Sequence, residues 1–298
     1  MQPSPEASHR ESALISVQQL AAALPASLSG PVGPAGHWVV VDCRFNLLKP
    51  DAGHAAYLEG HIPGAWYAHL DRDLASTPGP QTGRHPLPDP EPLRVLFGRF
   101  GIRRETRVVV YDEGGGGIAA RLWWLLRWMG HRSAQLLDGG LAAWQKAGLP
   151  LSQAIPGPEQ GRFEGEPGHM PVLTTGDVAR GLAERTIQLL DVRAEERFLG
   201  RVEPIDPVAG HVPGAINVPF PGNLDATQRF RAKETLAGRY APLVAGRSPA
   251  EIVCMCGSGV TACHGILALE LAGVPGAALY AGSWSDWIRS PERPVGTG

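Results

Sequence analysis

Two copies of one short motif decide the fold: EGHIPGAWY at residues 59–67 and AGHVPGAIN at residues 209–217. Each motif follows an apolar run that ends in an aspartate, WVVVD ending at Asp42 and IQLLD ending at Asp191. Both landmarks recur in the same order at an offset of about 150 residues. A constant offset of this kind indicates that the chain contains two copies of one domain.

Two further pairs of landmarks extend the match toward the end of each copy. The run VVVYD, ending at Asp112, corresponds to IVCMC, ending at Cys256, and LLDGGLAAW corresponds to LYAGSWSDW. We therefore predict a first domain at residues 11–150 and a second domain at residues 170–298. The segment 151–169 between them is rich in proline, glycine and glutamate and lacks periodicity, as expected of a linker.

Short β-branched runs alternate with longer helical stretches in both copies. RVVVYD, AQLLDGG, TIQLLDVR and AEIVCMC are apolar on both faces, as the strands of a buried parallel sheet are. AARLWWLLRWMG and TACHGILALELAG have the length of helices and end near a glycine. This alternation predicts an α/β fold in which each domain has a mainly parallel sheet flanked by helices on both faces.

Composition narrows the class of protein. Hydrophobic residues make up 43% and charged residues 19% of the 298 positions, so the chain can bury cores of ordinary size. A net charge of −2 gives no reason to expect nucleic acid or an anionic membrane as a partner. The amino terminus, with Glu6 and Glu11, lacks the apolar core of a secretory signal, and no apolar run is long enough to span a bilayer. Four cysteines are too few for a disulfide scaffold, so we expect a cytoplasmic location.

The two copies differ at the end of one strand, where the first has Asp112 and the second has Cys256. A duplicated domain can lose its nucleophile while the packing of its fold survives. We therefore expect the carboxy-terminal domain to be catalytic and the amino-terminal domain, with Asp112 at the cysteine position, to be inactive.

The segment after Cys256, GSGVTA, joins a strand to a helix. Gly257 and Gly259 allow the loop to curl so that its N–H groups point inward. The helix that begins near Thr261 adds the positive end of its dipole. Both features favour a negative charge on the Cys256 sulfur, which predicts a reactive thiolate.

Two other roles for the cysteines have weaker support. A zinc site would need four ligands, namely Cys254, Cys256, Cys263 and His264. C-x-C followed by C-H is not a usual ligand spacing. A disulfide between Cys254 and Cys256 would join residues about 6.6 Å apart along one strand, near the upper limit for bridging. We expect Cys43, Cys254 and Cys263 to pack as small hydrophobic residues.

A strand, loop and helix of this kind also bind phosphate in phosphatases with a C-x5-R loop. Six residues after Cys256 stands Ala262 instead of the arginine that would bind the phosphate. The sequence therefore disfavours a phosphatase.

From about Ile15 to Ile288 the chain resembles the tandem-domain rhodaneses. The resemblance rests on the doubled domain, on GHIPGA and GHVPGA, on the LDGG and GSW turns, and on the loop CGSGVTA. Within that family the loop is similar to that of the 3-mercaptopyruvate sulfurtransferases. Members specific for thiosulfate usually carry basic side chains after the cysteine, where this chain has Gly257 and Ser258.

The resemblance implies a two-stage transfer of one sulfur atom. Cys256 attacks the sulfur of mercaptopyruvate, pyruvate leaves, and a persulfide remains on the cysteine. A thiol, reduced thioredoxin or cyanide then accepts the sulfur, and no metal or organic cofactor is needed. Gly257, Gly259, Val260 and Thr261 are implied to line the substrate site.

The resemblance also implies a proton relay and a carboxylate site. Ser258 matches the family's serine, while His85 and Asp71 match its histidine and aspartate from the first domain. Arg197 matches an arginine for the substrate carboxylate. The family's second arginine is missing from RVEPIDPVAGH, and Arg201 is our candidate to replace it. On the alternative interpretation, His85 lies in a loop, Asp71 caps a helix and Arg197 is a surface charge.

Two rival functions stay open at this point. One is a thiosulfate sulfurtransferase, which a comparison of the two donors under one acceptor would distinguish. The other is a persulfide carrier with low turnover, which would need a protein partner to take the sulfur. We expect the chain to be a monomer.

Overall fold

The computed structural model describes residues 12–28, 38–157 and 161–298. Residues 1–11 lie outside the described residues. They include Glu6 and Glu11, on which the argument against a secretory signal rests, and Glu11 is also the first residue of the predicted first domain. Every strand in the described ranges belongs to one of two five-stranded sheets. No helix in these ranges combines the length and apolar character that crossing a bilayer requires.

In the first half of the chain, strands and helices alternate as the sequence predicts. The strands are β1 (Leu14–Ile15), β2 (Trp38–Asp42), β3 (Trp66–Tyr67), β4 (Arg107–Tyr111) and β5 (Ala134–Leu137). The helices are α1 (Val17–Leu28), α2 (Ala52–Glu59), α3 (Leu70–Asp73), α4 (Pro90–Arg99), α5 (Ala119–Trp128) and α6 (Gly140–Lys146). The strands pair in parallel in the order β1-β5-β4-β2-β3.

The second half repeats this arrangement. Its strands are β6 (Val172–Leu173), β7 (Gln188–Asp191), β8 (Ile216–Asn217), β9 (Ile252–Met255) and β10 (Ala278–Tyr280). Its α-helices are α7 (Thr175–Ala183), α8 (Glu195–Phe198), α9 (Lys233–Val244), α10 (Thr261–Leu271) and α11 (Ser283–Trp287), with 3₁₀ turns at Phe220–Asn223 and Pro249–Glu251. The parallel order β6-β10-β9-β7-β8 matches the first sheet strand for strand, so the predicted duplication and α/β fold are confirmed.

The sheet registers align the two halves residue by residue. Asp42 pairs with Tyr111 between β2 and β4, and Asp191 pairs with Met255 between β7 and β9. Asp112 and Cys256 each stand one residue beyond these pairs. The two residues therefore occupy the same place at the carboxyl end of the same strand.

The strands are apolar on both faces because packed elements cover both faces of each sheet. In β2, Val39 and Val41 belong to one core cluster, whereas Val40 belongs to a second cluster on the opposite face. The first cluster contains residues of both halves, including Trp124 on α5 and Leu267 on α10. Helices α5 and α10 pack on each other, so the two halves share one core, and the loops that lead into these helices lie near the boundary between the halves.

A repeated ion pair ties each strand end to the GH motif that follows it. Asp42 pairs with Arg44 at 2.7 Å, and Asp191 pairs with Arg193 at 2.6 Å. Both arginines also donate to the carbonyl oxygen of the glycine that precedes the histidine of the motif. These buried pairs hold equivalent loops in both halves and do not distinguish the two halves in function.

Candidate active site

Cys256 follows β9 directly and is only 2% exposed. Its N–H donates to the hydroxyl of Ser283 at 3.1 Å, and its carbonyl oxygen accepts from the N–H of Trp284 at 3.0 Å. Both partners lie in the first turn of α11. The backbone of Cys256 is therefore fixed by hydrogen bonds, which leaves the thiol as the group that can react.

The loop after Cys256 curls as the sequence predicts. Gly259 adopts a φ of +79°, and a Cβ atom there would lie 2.4 Å from the carbonyl oxygen of Ala281, so this position requires glycine. Helix α10 begins at Thr261, directly after the buried Val260. Among the residues that the structure describes, no acceptor bonds the N–H groups of residues 257–260. These donors are free to bind an anion held by the loop.

The structure brings the three residues of the predicted relay together across the two halves. His85 Nδ1 lies 2.7 Å from Ser258 Oγ, and His85 Nε2 lies 3.0 Å from Asp71 Oδ1. Asp71 lies in the first turn of α3. Because an ionised carboxylate can only accept, Nε2 carries the ring proton and Nδ1 accepts a hydrogen bond from the Ser258 hydroxyl.

The surroundings of His85 keep its ring neutral. Burial lowers the pKa of His85 to about 4, with Arg84 and Arg121 adding to the shift and Asp71 opposing it. A neutral ring that already accepts a hydrogen bond from Ser258 can take up a proton passed through that hydroxyl at neutral pH.

Arg121, on α5, joins the histidine segment to the cysteine loop and was missed by the sequence analysis. Its guanidinium is fully buried and donates to the carbonyl oxygens of His85 and Gly259, both at 3.2 Å. It also donates to those of Leu74 and Pro86. Within the described residues, no carboxylate lies within ion-pair distance of it. An arginine inside the otherwise apolar run AARLWWLL was the available signal, because arginine is rarely buried without a role.

Arg197, on α8, lies beside the cysteine loop. Its Nε and Nη2 atoms bond the carboxylate of Glu203, and Nη2 also contacts Asp206 Oδ2 at 3.1 Å. Burial opposes ionisation of Glu203, but the hydrogen bonds from Arg197 lower the pKa of that carboxyl overall. A Cβ atom placed on Gly257 would lie 3.6 Å from Arg197 Nη2 and 3.7 Å from Nη1, so the guanidinium borders the loop.

A second guanidinium also borders Gly257, and it belongs to Arg84. Its Nη2 would lie 3.2 Å from a Cβ atom at Gly257. Arg201, our sequence-based candidate for a second arginine, is exposed, and its side chain has no hydrogen-bonding partner in the described part of the chain. The sequence analysis missed Arg84, although its place directly before His85 was a signal that could have found it.

The remaining cysteines, Cys43, Cys254 and Cys263, are buried free thiols in the core. Burial raises the pKa of the Cys263 thiol to about 12, so this thiol is protonated and unreactive at neutral pH. No group of three metal-ligating side chains with the geometry of a metal site is found in residues 12–28, 38–157 and 161–298.

The matching loop of the first half is filled by its own side chain. The carboxylate of Asp112 accepts four hydrogen bonds of 2.9 to 3.1 Å from N–H groups of that loop, those of Gly114, Gly116, Ile118 and Ala119. Asp112 is only 7% exposed. The first loop therefore already contains an anion, whereas the second loop has free donors around a thiol.

Comparison with known proteins agrees with this geometry. A family model described as a rhodanese-like domain matches residues 27–147 and 174–290. The chain is 49% identical to a "probable 3-mercaptopyruvate sulfurtransferase" of Pseudomonas aeruginosa, over 96% of this chain and 98% of that protein. It is 33% identical to the thiosulfate sulfurtransferase of Rattus norvegicus, over 96% of each chain. The crystal structure of SseA from Escherichia coli, described as a 3-mercaptopyruvate sulfotransferase, matches with a TM-score of 0.77 and 31% identity, over 92% of this chain and 100% of that chain.

Two sheets of one topology and two matches to one domain model place the protein among those built from tandem rhodanese-like domains. The chain belongs to the rhodanese family, as the resemblance drawn from its sequence predicted. Its full-length relatives include both 3-mercaptopyruvate sulfurtransferases and a thiosulfate sulfurtransferase. More particularly, therefore, the chain is a sulfurtransferase, an enzyme of the transferase class.

Proposed function

We propose that the protein is a 3-mercaptopyruvate sulfurtransferase that carries the transferred sulfur as a persulfide on Cys256. The observation that supports this most directly is the pairing of a thiol beside free loop N–H groups with a neutral His85 bonded to Ser258. The loop stabilises a sulfur anion, and the histidine can move the proton that this particular donor must relocate. The second, carboxy-terminal half is thus the half that carries the nucleophile.

In the first stage the Cys256 thiolate attacks the donor sulfur, and the bond between that sulfur and the donor's methylene carbon breaks. The electron pair of the broken bond passes to the carbon, which gives the enolate of pyruvate. The proton of the donor thiol passes through Ser258 to His85 and returns by the same route to the enolate carbon. The products are a persulfide anion on Cys256 and pyruvate, and no external oxidant or reductant is consumed.

In the second stage a nucleophilic acceptor removes the outer sulfur. A thiol, reduced thioredoxin or cyanide attacks that sulfur, the S–S bond breaks, and its electron pair restores the Cys256 thiolate. The free N–H groups of residues 257–260 stabilise the negative charge on sulfur in both stages, and the four free cysteines suit a reducing compartment such as the cytoplasm.

The donor carboxylate has a cationic partner beside the loop. Arg197 borders Gly257, next to the nucleophile, and a guanidinium binds a carboxylate through charge-assisted hydrogen bonds. In this proposal Arg197 fixes the carboxylate end of the donor while Cys256 attacks its sulfur.

A thiosulfate sulfurtransferase is the second candidate, because full-length relatives carry that name as well. The loop itself supports mercaptopyruvate, since Gly257 and Ser258 provide no cationic side chain for the doubly charged thiosulfate anion. A persulfide carrier that passes sulfur to a protein partner would share the first stage and differ in needing that partner for turnover.

The test combines mass spectrometry with product analysis. The protein is incubated with mercaptopyruvate and no acceptor, the peptide that contains residue 256 is weighed, and pyruvate is measured in the same sample. We expect one added sulfur atom on that peptide for each pyruvate released, and neither product in the Cys256→Ser variant. Equal pyruvate release by that variant would contradict the proposal, and faster persulfide formation from thiosulfate would favour the second candidate.

A further inference from the structure

Two guanidinium groups, one from each half of the chain, converge on Gly257 beside the nucleophile. Arg197 comes from α8 of the second half, and Arg84 comes from the segment of the first half that carries His85. We propose that Arg84 is the second arginine of the substrate site and that it binds the carboxylate end of the sulfur donor together with Arg197. This inference rests on the proposed function and assigns Arg84 to a site for α-keto carboxylates.

The hydrogen bonds of Arg84 leave part of its guanidinium free for a ligand. Arg84 Nη1 bonds Asp206 Oδ1 at 2.6 Å. The Nε atom has no hydrogen-bonding partner in the structure, and Nη2, the atom nearest Gly257, bonds no acceptor among the described residues. A residue that served only as an ion pair would not need unpaired donors on the side that faces the nucleophile, because a donor without an acceptor costs free energy.

Arg197 is held in a corresponding way. Its Nε and Nη2 atoms bond Glu203 and Asp206, and its Nη1 atom, which also borders Gly257, bonds no acceptor in the described part of the chain. Asp206 thus bonds one nitrogen of each arginine and holds both guanidinium groups in place. The free nitrogens, Nη2 of Arg84 and Nη1 of Arg197, both lie near the same glycine, as the two oxygens of one carboxylate would require.

Arg84 directly precedes His85, so donor binding by Arg84 would involve the same segment as the proton relay. Its N–H donates to the hydroxyl of Ser285 in the second half at 2.9 Å, and its side chain is 25% exposed, so solutes can reach it. The next residue is His85, which bonds Ser258. A donor bound to Arg84 would therefore rest against the same segment that positions the proton relay.

Gly257 provides the room for this arrangement. A side chain at that position would begin 3.2 Å from Arg84 Nη2, which is tighter than ordinary contact. The absence of a side chain lets a cation from the other half of the molecule approach the nucleophile. The positive charge at the site thus comes from Arg84 and Arg197 and not from the cysteine loop itself.

The test compares Arg84→Gln and Arg84→Lys with the unmodified enzyme and with Arg180→Gln as a matched control. Arg180 is an exposed arginine on α7 whose one ion pair within the described residues is with Asp177 of the same helix. We expect Arg84→Gln to raise the KM for mercaptopyruvate about tenfold or more, to change kcat much less, and to weaken inhibition by pyruvate by the same factor. Arg84→Lys should restore part of the affinity, because it keeps the charge but not the planar geometry.

The outcomes separate this inference from the proposed function. If the unmodified enzyme forms the Cys256 persulfide and Arg84→Gln has the KM and pyruvate inhibition of Arg180→Gln, the assignment of Arg84 is wrong. If the unmodified enzyme forms no persulfide from mercaptopyruvate, the proposed function itself fails. If Arg84→Gln does not fold, Arg84→Lys decides alone, since an unchanged KM in that variant would also contradict bidentate binding.

Discussion

The loops that follow the matched strands β4 and β9 differ in the origin of the anion at their centre. In the first loop the Asp112 carboxylate accepts four N–H bonds from its own loop. In the second loop Cys256 stands at the same position, and the N–H groups of residues 257–260 bond no acceptor in the described part of the chain. The first copy has a carboxylate of its own inside the loop, and in the proposed function the second copy forms and loses a sulfur anion in each reaction cycle.

The backbones of the two loops are otherwise held alike. The carbonyl oxygen of Asp112 accepts from the N–H of Leu141, and that of Cys256 accepts from the N–H of Trp284. The residues before these donors, Gly140 and Ser283, both have a positive φ, of 57° and 52°. Since the frame is shared, the difference between the loops is carried by side chains. This shows how a duplicated fold can keep its geometry while the side chains of the two matched loops differ.

The first half nevertheless contributes to the open loop of the second. His85 bonds Ser258, Arg121 bonds the carbonyl oxygen of Gly259, and Arg84 borders Gly257. In the proposed function, the half without a nucleophile supplies the groups that move protons and carry positive charge. On this proposal the two copies are complementary parts of one site, although only the second carries the nucleophile.

The largest effect is expected from replacing His85, through which the first half takes part in the proposed proton transfer. His85→Gln should lower kcat for mercaptopyruvate about a hundredfold or more, because Ser258 loses its proton acceptor. The KM should change little, and alkylation of Cys256 should continue, since the thiol and its loop are untouched. Steady-state kinetics and the rate of alkylation by iodoacetamide check both parts. A kcat close to that of the unmodified enzyme would show that the reaction does not depend on proton transfer to His85.

The same residue sets the acid side of the pH profile. The lowered pKa of His85, about 4, means that the ring stays neutral from pH 8 down to pH 5. We expect kcat/KM to lose its histidine-dependent part tenfold per pH unit only below about pH 4, and not below the ordinary value near 6.5. A decline of this histidine-dependent part, taken as the difference from His85→Gln, that begins near pH 6.5 would contradict the buried, neutral His85.

The next effect is expected from replacing Arg121, whose buried guanidinium bonds the loop that follows Cys256. Arg121→Met should slow alkylation of Cys256 at neutral pH about tenfold and lower the free energy of unfolding by about 3 kcal/mol, because four carbonyl oxygens lose their donor and the sulfur anion loses a nearby cation. Arg121→Lys, which keeps the charge, should retain more of the alkylation rate than of the stability. Equal alkylation rates in both variants and in the unmodified enzyme would show that Arg121 only supports packing.

How far the sequence predicts this molecule depends on the distance over which each feature is encoded. The strand β4 and the helix α10 follow from local patterns, an apolar run and a glycine after the last turn, and their positions agree with the prediction. The equivalence of Asp112 and Cys256 also follows from sequence, because the repeat aligns them. Features encoded within about ten residues are thus accessible to pattern analysis.

The site is encoded over much longer distances. His85 and Ser258 are separated by 173 positions along the chain, and they could be linked in advance only through the family resemblance. Arg84 and Arg121 were not anticipated, because their roles depend on how α5 packs against α10 and on how residues 83–86 meet the second half. Periodicity places residues on faces of one element, but it does not indicate which loop of the other half a buried guanidinium reaches.

A smaller effect is expected from removing the Asp112 carboxylate from the first loop. Asp112→Ala removes the acceptor of four N–H groups, so we expect the free energy of unfolding in urea to fall by about 2 kcal/mol. Activity per folded molecule should stay within about twofold, because in the described part of the chain no hydrogen bond joins Asp112 to a residue of the proposed site. Added sulfate should recover part of the stability by binding the vacated donors.

Two further variants make the result of opening the loop specific. Asp112→Asn keeps one oxygen acceptor and should lose less stability than Asp112→Ala. Glu105→Ala removes an exposed carboxylate of the same half and should change the free energy of unfolding very little. If Asp112→Ala is as stable as Glu105→Ala, the internal anion does not hold the first loop together.

The smallest effect is expected from replacing His264 on α10, which occupies the position that Arg121 occupies on α5. Arg121 and His264 each stand nine residues before a glycine of positive φ, Gly130 and Gly273, yet Arg121 is charged and His264 lies between Phe220 and Phe230. Burial lowers the pKa of His264 to about 4, and the backbone of Gly115 in the first loop opposes that shift only in part.

The His264 side chain binds a proton near pH 6.5 in the unfolded chain but not in the folded chain. Its contribution to stability is therefore complete above pH 6.5 and is lost as the pH falls toward 4. At pH 5.5 the loss is about 1 kcal/mol. His264→Phe, which keeps an aromatic ring in place, should therefore lose about 1 kcal/mol less free energy of unfolding between pH 7.5 and 5.5 than the unmodified protein does. Equal losses in the two proteins would mean that His264 is not neutral in the folded state at pH 5.5.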